Sequence, residues 1–124
     1  MSQLINAWHE VARLSAALDE NPAAQAARTG LALQQREAEY RLLEQLTFSG
    51  AAEIEAFLDD MQANYYDEVP VWLRNLAFRL ACLLQPGNAV IRRRAANDLR
   101  AFGPDWDDIA AGLDQEAAAL EGQR

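Results

Sequence analysis

The sequence predicts an all-α protein, a compact bundle of about five to six helices in a single domain spanning residues 1–124. Three observations lead there. Apolar residues recur at helical spacing along the long segments, and no segment alternates like a strand for more than a few positions. Alanine, the strongest helix former, is abundant. Glycine and proline number only six and four, and most fall between periodic segments, where they act as punctuation. An apolar content of 51% with 24% charged residues is that of a globular chain. A domain of this size buries roughly two-thirds of its unfolded surface, enough to fold without disulfides or metals.

Taken in order, Ser2 is placed to cap a first helix running through Leu18, with Leu4, Trp8, Val11, Ser15 and Leu18 as its stripe. Asn21-Pro22 ends it and opens the next segment, asparagine as cap and proline at the first helical position. That segment extends to about Thr47, either as one helix of about seven turns or as two that break near Thr29-Gly30. Phe48-Ser49-Gly50 starts a third helix, with Ile54, Phe57, Leu58, Met61 and Tyr65 on one face. Residues 66–70 form a connection, because Val69 precedes Pro70 and is steered away from helix. A fourth helix covers about Val71 to Gln85 and ends at Pro86-Gly87. Asn88 caps a fifth that reaches Phe102 ahead of Gly103-Pro104. Asp105 caps a sixth, with Asp108 three residues on and a stripe of Trp106, Ile109, Leu113, Ala117 and Leu120. Residues 1–2 and 121–124 are expected to fray.

Two of these helices are apolar on more than one side. In the fourth, Leu73, Leu76, Ala77, Leu80, Ala81 and Leu84 make the main face, with Phe78 and Cys82 opposite and Trp72 and Leu83 flanking. In the second, Leu31, Ala38, Leu42 and Leu46 form the stripe, while Leu33, Tyr40 and Leu43 lie away from it. Such helices are either central to their own domain or covered by a partner. The second faces, Leu33, Tyr40 and Leu43 with Phe78 and Cys82, are therefore the candidate surface for a homodimer.

Charge is unevenly distributed. The net charge is −8, and all eleven basic residues are arginine, a composition that, with the abundant alanine, suits a GC-rich bacterial genome. Between Val69 and Gly103 stand six arginines against one acid, Asp98, whereas the remainder has five arginines and eighteen acids. Asp98 falls in the middle of the core face set by Ile91, Ala95, Leu99 and Phe102, and a buried carboxylate needs a charged partner. Arg94, Arg74 and Arg79 are the candidates for an internal pair. Arg93 and Arg100 point away from the core, with Arg92 at the flank. They either meet the protein's own acids, such as Asp59, Asp60, Asp67 and Glu68, or bind an acidic protein surface or phosphates. The helix dipole at the start of their own helix does not explain them.

Chemistry-bearing constellations are few. His9 is the only histidine, so histidine dyads, helical zinc motifs and di-iron Glu-x-x-His pairs are excluded. Glu37 and Glu44 lack a second ligand-bearing helix, and Asp59-Asp60 and Asp105/Asp107/Asp108 lack the glycine and closing glutamate of a calcium loop. No glycine-rich phosphate loop occurs. Cys82 sits among Ala81, Leu83 and Leu84, where a thiol serves as packing. The expectation is therefore no enzyme, no metal and no cofactor. Tyr65, Tyr66, Trp72 and Trp106 form an aromatic group, and tyrosine and tryptophan dominate interface hot spots.

A single cysteine excludes an intramolecular disulfide, and the opening Met-Ser-Gln-Leu-Ile-Asn lacks the pattern of a secretory signal. The longest apolar stretch, Leu76 to Leu84, contains Arg79 and is too short to span a bilayer. These features point to the cytoplasm, with no membrane partner.

Residues 83–103, Leu-Leu-Gln-Pro-Gly-Asn-Ala-Val-Ile-Arg-Arg-Arg-Ala-Ala-Asn-Asp-Leu-Arg-Ala-Phe-Gly, resemble the turn and second helix of a HEAT-type repeat. The Ile91-Arg92 pair, Ala95-Ala96, Leu99 and Gly103 carry the likeness, which gives a HEAT-like helix hairpin at 71–103. It covers about a sixth of the chain. It departs at Pro86, where such repeats carry aspartate, and at Asp98, where they carry a small core residue. No second copy is visible, whereas solenoids stack several. The resemblance implies a protein-binding scaffold. Together with the composition, it favours a small acidic protein that binds another protein without catalysis, through Tyr65, Tyr66, Trp72, Arg92, Arg93 and Arg100. The alternative is a dimer that binds nucleic acid through the arginine-rich helix 89–102, although net negative charge disfavours general nucleic-acid affinity.

Overall fold

The structure, a computed structural model, describes the backbone of residues 3–20, 25–64 and 69–123, and the side chains of 3–18, 29–64 and 69–123. Among the described residues there are six α-helices: α1 (Gln3–Glu20), α2 (Gln25–Phe48), α3 (Ala51–Asn64), α4 (Val71–Leu84), α5 (Ala89–Arg100) and α6 (Asp107–Glu121). One 3-10 turn, Pro104–Trp106, precedes α6. The protein is all-α, with no strand among the described residues. No described helix is long and apolar enough to cross a membrane. The chain divides into two compact units, Met1–Val69 and Pro70–Arg124.

In the first unit, α1 packs on both α2 and α3. Its core is Leu4, Trp8, Val11 and Leu14 from α1, Ala38, Leu42 and Leu46 from α2, and Ile54, Phe57, Leu58 and Met61 from α3. Fully burying a large aliphatic side chain of this kind stabilises by roughly 1.5–3 kcal/mol. Trp8 meets Phe57 edge to face, ring centroids 6.3 Å apart, the arrangement aromatic quadrupoles favour. The α1 stripe ends on Leu14 where the spacing predicts Ser15 and Leu18, both only half-buried. Ser15 lies at the margin because its hydroxyl accepts a hydrogen bond from Gln35 Nε2 of α2 at 2.6 Å. His9 Nε2 lies 3.0 Å from Asp60 Oδ2 and links α1 to α3. Helix α2 runs unbroken through Gly30, which resolves the choice between one helix and two. The Ser2 and Asn21-Pro22 signals and Tyr65 lie outside the described residues.

In the second unit, α4 and α5 form a hairpin, and α6 packs along α5. The turn is built by Asn88, whose Oδ1 accepts from the Ile91 amide at 3.1 Å and whose Nδ2 donates to Gln85 Oε1 at 2.9 Å. The α5–α6 seam is lined by Ala96, Leu99 and Ala110, with Trp106 and Leu113 against it, so small side chains let the two backbones approach. Gly103, at φ +100°, turns the chain between them, a conformation in which a Cβ would be strained. Asp105 is not a helix cap here. It lies within the 3-10 turn, and α6 starts one residue later than its signal suggests. The α6 face is centred on Ala110 and Ala117, while Ile109 is exposed.

The largest departure concerns α4. Its buried residues are Leu73, Arg74, Ala77, Phe78, Ala81 and Cys82, a face turned about a quarter of a revolution from the one its leucines suggest. Leu84 is exposed instead. Phe78 and Cys82, expected on the outer side for self-association, are buried. Arg74, at the middle of the α4 inner face, pairs there with Asp98 of α5.

Candidate functional site

Asp98 and Arg74 form an ion pair with side chains only 4% and 3% exposed. The guanidinium also stacks over Phe102, 5.0 Å from the ring centroid. Of the three candidate partners for Asp98, the structure selects Arg74. Arg94 instead lies over Phe78 at 5.9 Å. This buried cluster is enclosed and holds the hairpin together.

The outer arginines of α5 are engaged by α6. Arg92 pairs with Glu116 at 3.1 Å, Arg93 with Asp114 and Glu121 at 3.1 and 2.8 Å, and Arg100 with Asp114. The Arg100 hydrogen bond, followed by that from Arg93, holds the Asp114 carboxyl below its ordinary value. The Glu121 carboxylate, ahead of Asp114, raises Arg93. Neutralisation by the protein's own acids is thus realised by Asp114, Glu116 and Glu121 of α6; Asp67 and Glu68 lie outside the described residues. Arg92 has a further role. Its guanidinium donates to the carbonyls of Gln85 and Asn88 at 3.1 Å and of Cys82 at 3.5 Å. It therefore caps the carbonyl end of α4, the helix before its own, where a cation is favoured. Arg92, one of the partner-binding candidates, is thus engaged by the turn.

A groove of about 390 Å³ opens on the second unit. Phe78, Cys82 and Leu83 of α4 form one wall, Ile109 and Leu113 of α6 the other, and Ala95 and Leu99 of α5 the floor. Arg79 stands at its edge. Burial pushes the Cys82 thiol up, Glu116 adds to the shift, and Arg92 opposes it. Leu83 is 74% exposed and Ile109 41% exposed. Leu83 and Ile109 were not singled out as site residues because each lies on the flank or stripe of its own helix; the groove appears only when α4 and α6 are set on α5.

Of the other sequence candidates, Trp72 is exposed, as are Leu33 and Tyr40 on α2, and Leu43 is half-buried. Tyr65 and Tyr66 lie outside the described residues. Among the described residues no group of three or more His, Cys, Asp or Glu is arranged to hold a metal ion. Compared with protein-family models, with curated proteins and with solved structures, the chain matches none.

Proposed function

We propose that the protein works by binding another protein and performs no chemistry of its own. The observation that supports this reading is the groove of the second unit, apolar in its walls and floor and bordered by the exposed Leu83 and Ile109. Contiguous exposed apolar surface rimmed by polar groups is the physical mark of an interaction site. Leu84 and Val90, also exposed, lie on the same hairpin. A cytoplasmic location belongs to the same reading, supported by the lone cysteine.

Nucleic-acid binding through α5 draws less support. A phosphate would have to displace Asp114, Glu116 or Glu121 from Arg92, Arg93 and Arg100. The second unit contains seven arginines and seven acids, so it presents no net positive charge. Self-association has its own support in α2, where Leu33 and Tyr40 are exposed one heptad apart.

Affinity capture with the full chain and with Leu83→Glu as parallel baits tests the reading. Leu83 is largely exposed, so the substitution leaves the fold intact by circular dichroism. At least one protein is expected on the wild-type bait and to be lost from the variant. Identical captured sets from the two baits would overturn the groove as the contact surface.

A further inference from the structure

The shape of the groove restricts what fits it. Its α4 wall is the stripe Asn75, Phe78, Arg79, Cys82 and Leu83, at intervals of three, four, seven and eight residues. At 1.5 Å per residue that wall is about 12 Å long, two turns of helix. The α6 wall, Ile109, Leu113 and Glu116, has the same helical spacing and a similar length. Two helical walls set on a third helix accept a fourth whose side-chain ridge enters between them, as in helical bundles.

The charge at the rim is equally specific. Arg92 and Glu116 pair with each other. Arg79 is exposed, lines the groove, and makes no ion pair or hydrogen bond among the described residues. Every other arginine of α4 and α5 is engaged: Arg74 by Asp98, Arg92, Arg93 and Arg100 by α6, and Arg94 over Phe78. Arg79 is thus the cation left for an incoming carboxylate, which a guanidinium binds in a fork.

We infer that the groove between α4 and α6 takes an amphipathic helix of a partner protein, one with apolar residues at i, i+3 or i+4 and i+7 and a glutamate or aspartate that meets Arg79. The apolar residues enter between Leu83 and Ile109 and rest on Leu99, the helix-in-groove mode of recognition. The acid sets the direction and register of the helix, because only one orientation brings it to the Arg79 edge. This inference rests on the protein-binding reading above.

The test is selection of a randomised peptide library, displayed on phage, against the full-length protein. The enriched peptides are then titrated against wild type, Leu83→Glu and Arg79→Glu. Enriched peptides are expected to show the stated apolar spacing with one flanking acid and to become helical on binding. Leu83→Glu and Arg79→Glu should each weaken them about tenfold or more. Changing the peptide's acid to arginine should restore binding to Arg79→Glu. Peptides indifferent to Leu83→Glu would overturn both this inference and the groove reading. Peptides sensitive to Leu83→Glu but indifferent to Arg79→Glu would overturn the acidic helix alone. A library that yields no binder, or a wild-type dimer that Leu83→Glu dissociates, would also overturn the partner helix, the latter by placing a second copy in the groove.

Discussion

Arg74 and Asp98 face each other across the α4–α5 hairpin as an almost fully buried ion pair, with the Phe102 ring laid against the guanidinium. Removing one member leaves the other charge buried alone, at a cost of about 3–5 kcal/mol. Asp98→Ala is therefore expected to lower the unfolding free energy by that amount in urea denaturation. Replacing both residues, Arg74→Met with Asp98→Leu, should recover most of the loss, since apolar side chains of similar volume need no counter-charge. An Asp98→Ala protein with the wild-type urea midpoint would show that the pair does not hold the hairpin.

The α5–α6 pairs behave differently because they face solvent. Asp114 is held below its ordinary value by Arg100 and then Arg93, so its ionised form is favoured in the folded state. Stability from a depressed carboxyl is fully present above the unfolded value, about 4, and is lost as pH falls through the lower folded value. Salt screens such exposed pairs. Asp114→Asn should accordingly melt slightly lower than wild type at pH 7 in dilute buffer. The difference should vanish in 1 M salt and again at acid pH. A difference that persists unchanged in high salt would assign the effect to packing instead.

Gly103 supplies a third test. At φ +100° and ψ 175° its backbone lies in a region essentially reserved for glycine. Nothing lies within 4 Å of where a Cβ would be, so a substitution there meets only conformational strain. Gly103→Ala should destabilise by about 1–3 kcal/mol. By contrast, Gly30→Ala, in the second turn of α2 with open space around it, should stabilise by about 0.5–1 kcal/mol. Thermal melts of the two variants are expected to shift in opposite directions.

Helix existence was legible where a core face follows a clear period, as with Ile54, Phe57, Leu58 and Met61 on α3. The need for an arginine beside Asp98 was legible for the same reason: helical spacing puts that carboxylate among apolar neighbours. The rotation of α4 was not. A helix apolar almost all round gives periodicity nothing to select, and the side that faces inward carries a long-range ion pair. The acids that meet α5 were hidden likewise. Asp114 and Glu121 are seven residues apart on one side of α6, but only the alanine-lined seam, which sets the register of α5 and α6, brings them to Arg93. The groove depends on that register and on the α4 rotation together, so neither helix announces it alone.

The pairing of α5 with α6 has a consequence for how the chain is made. Synthesis delivers α5 before α6, at about 5–20 residues per second. Until α6 emerges, Arg93 and Arg100 have no carboxylates across from them, and Ala96 and Leu99 have no Ala110 to cover them. For that interval the nascent chain carries an uncompensated basic, partly apolar helix close to a polyanionic ribosome. The arrival of α6 ends both exposures in one step, because the carboxylates and the small-residue seam belong to the same helix.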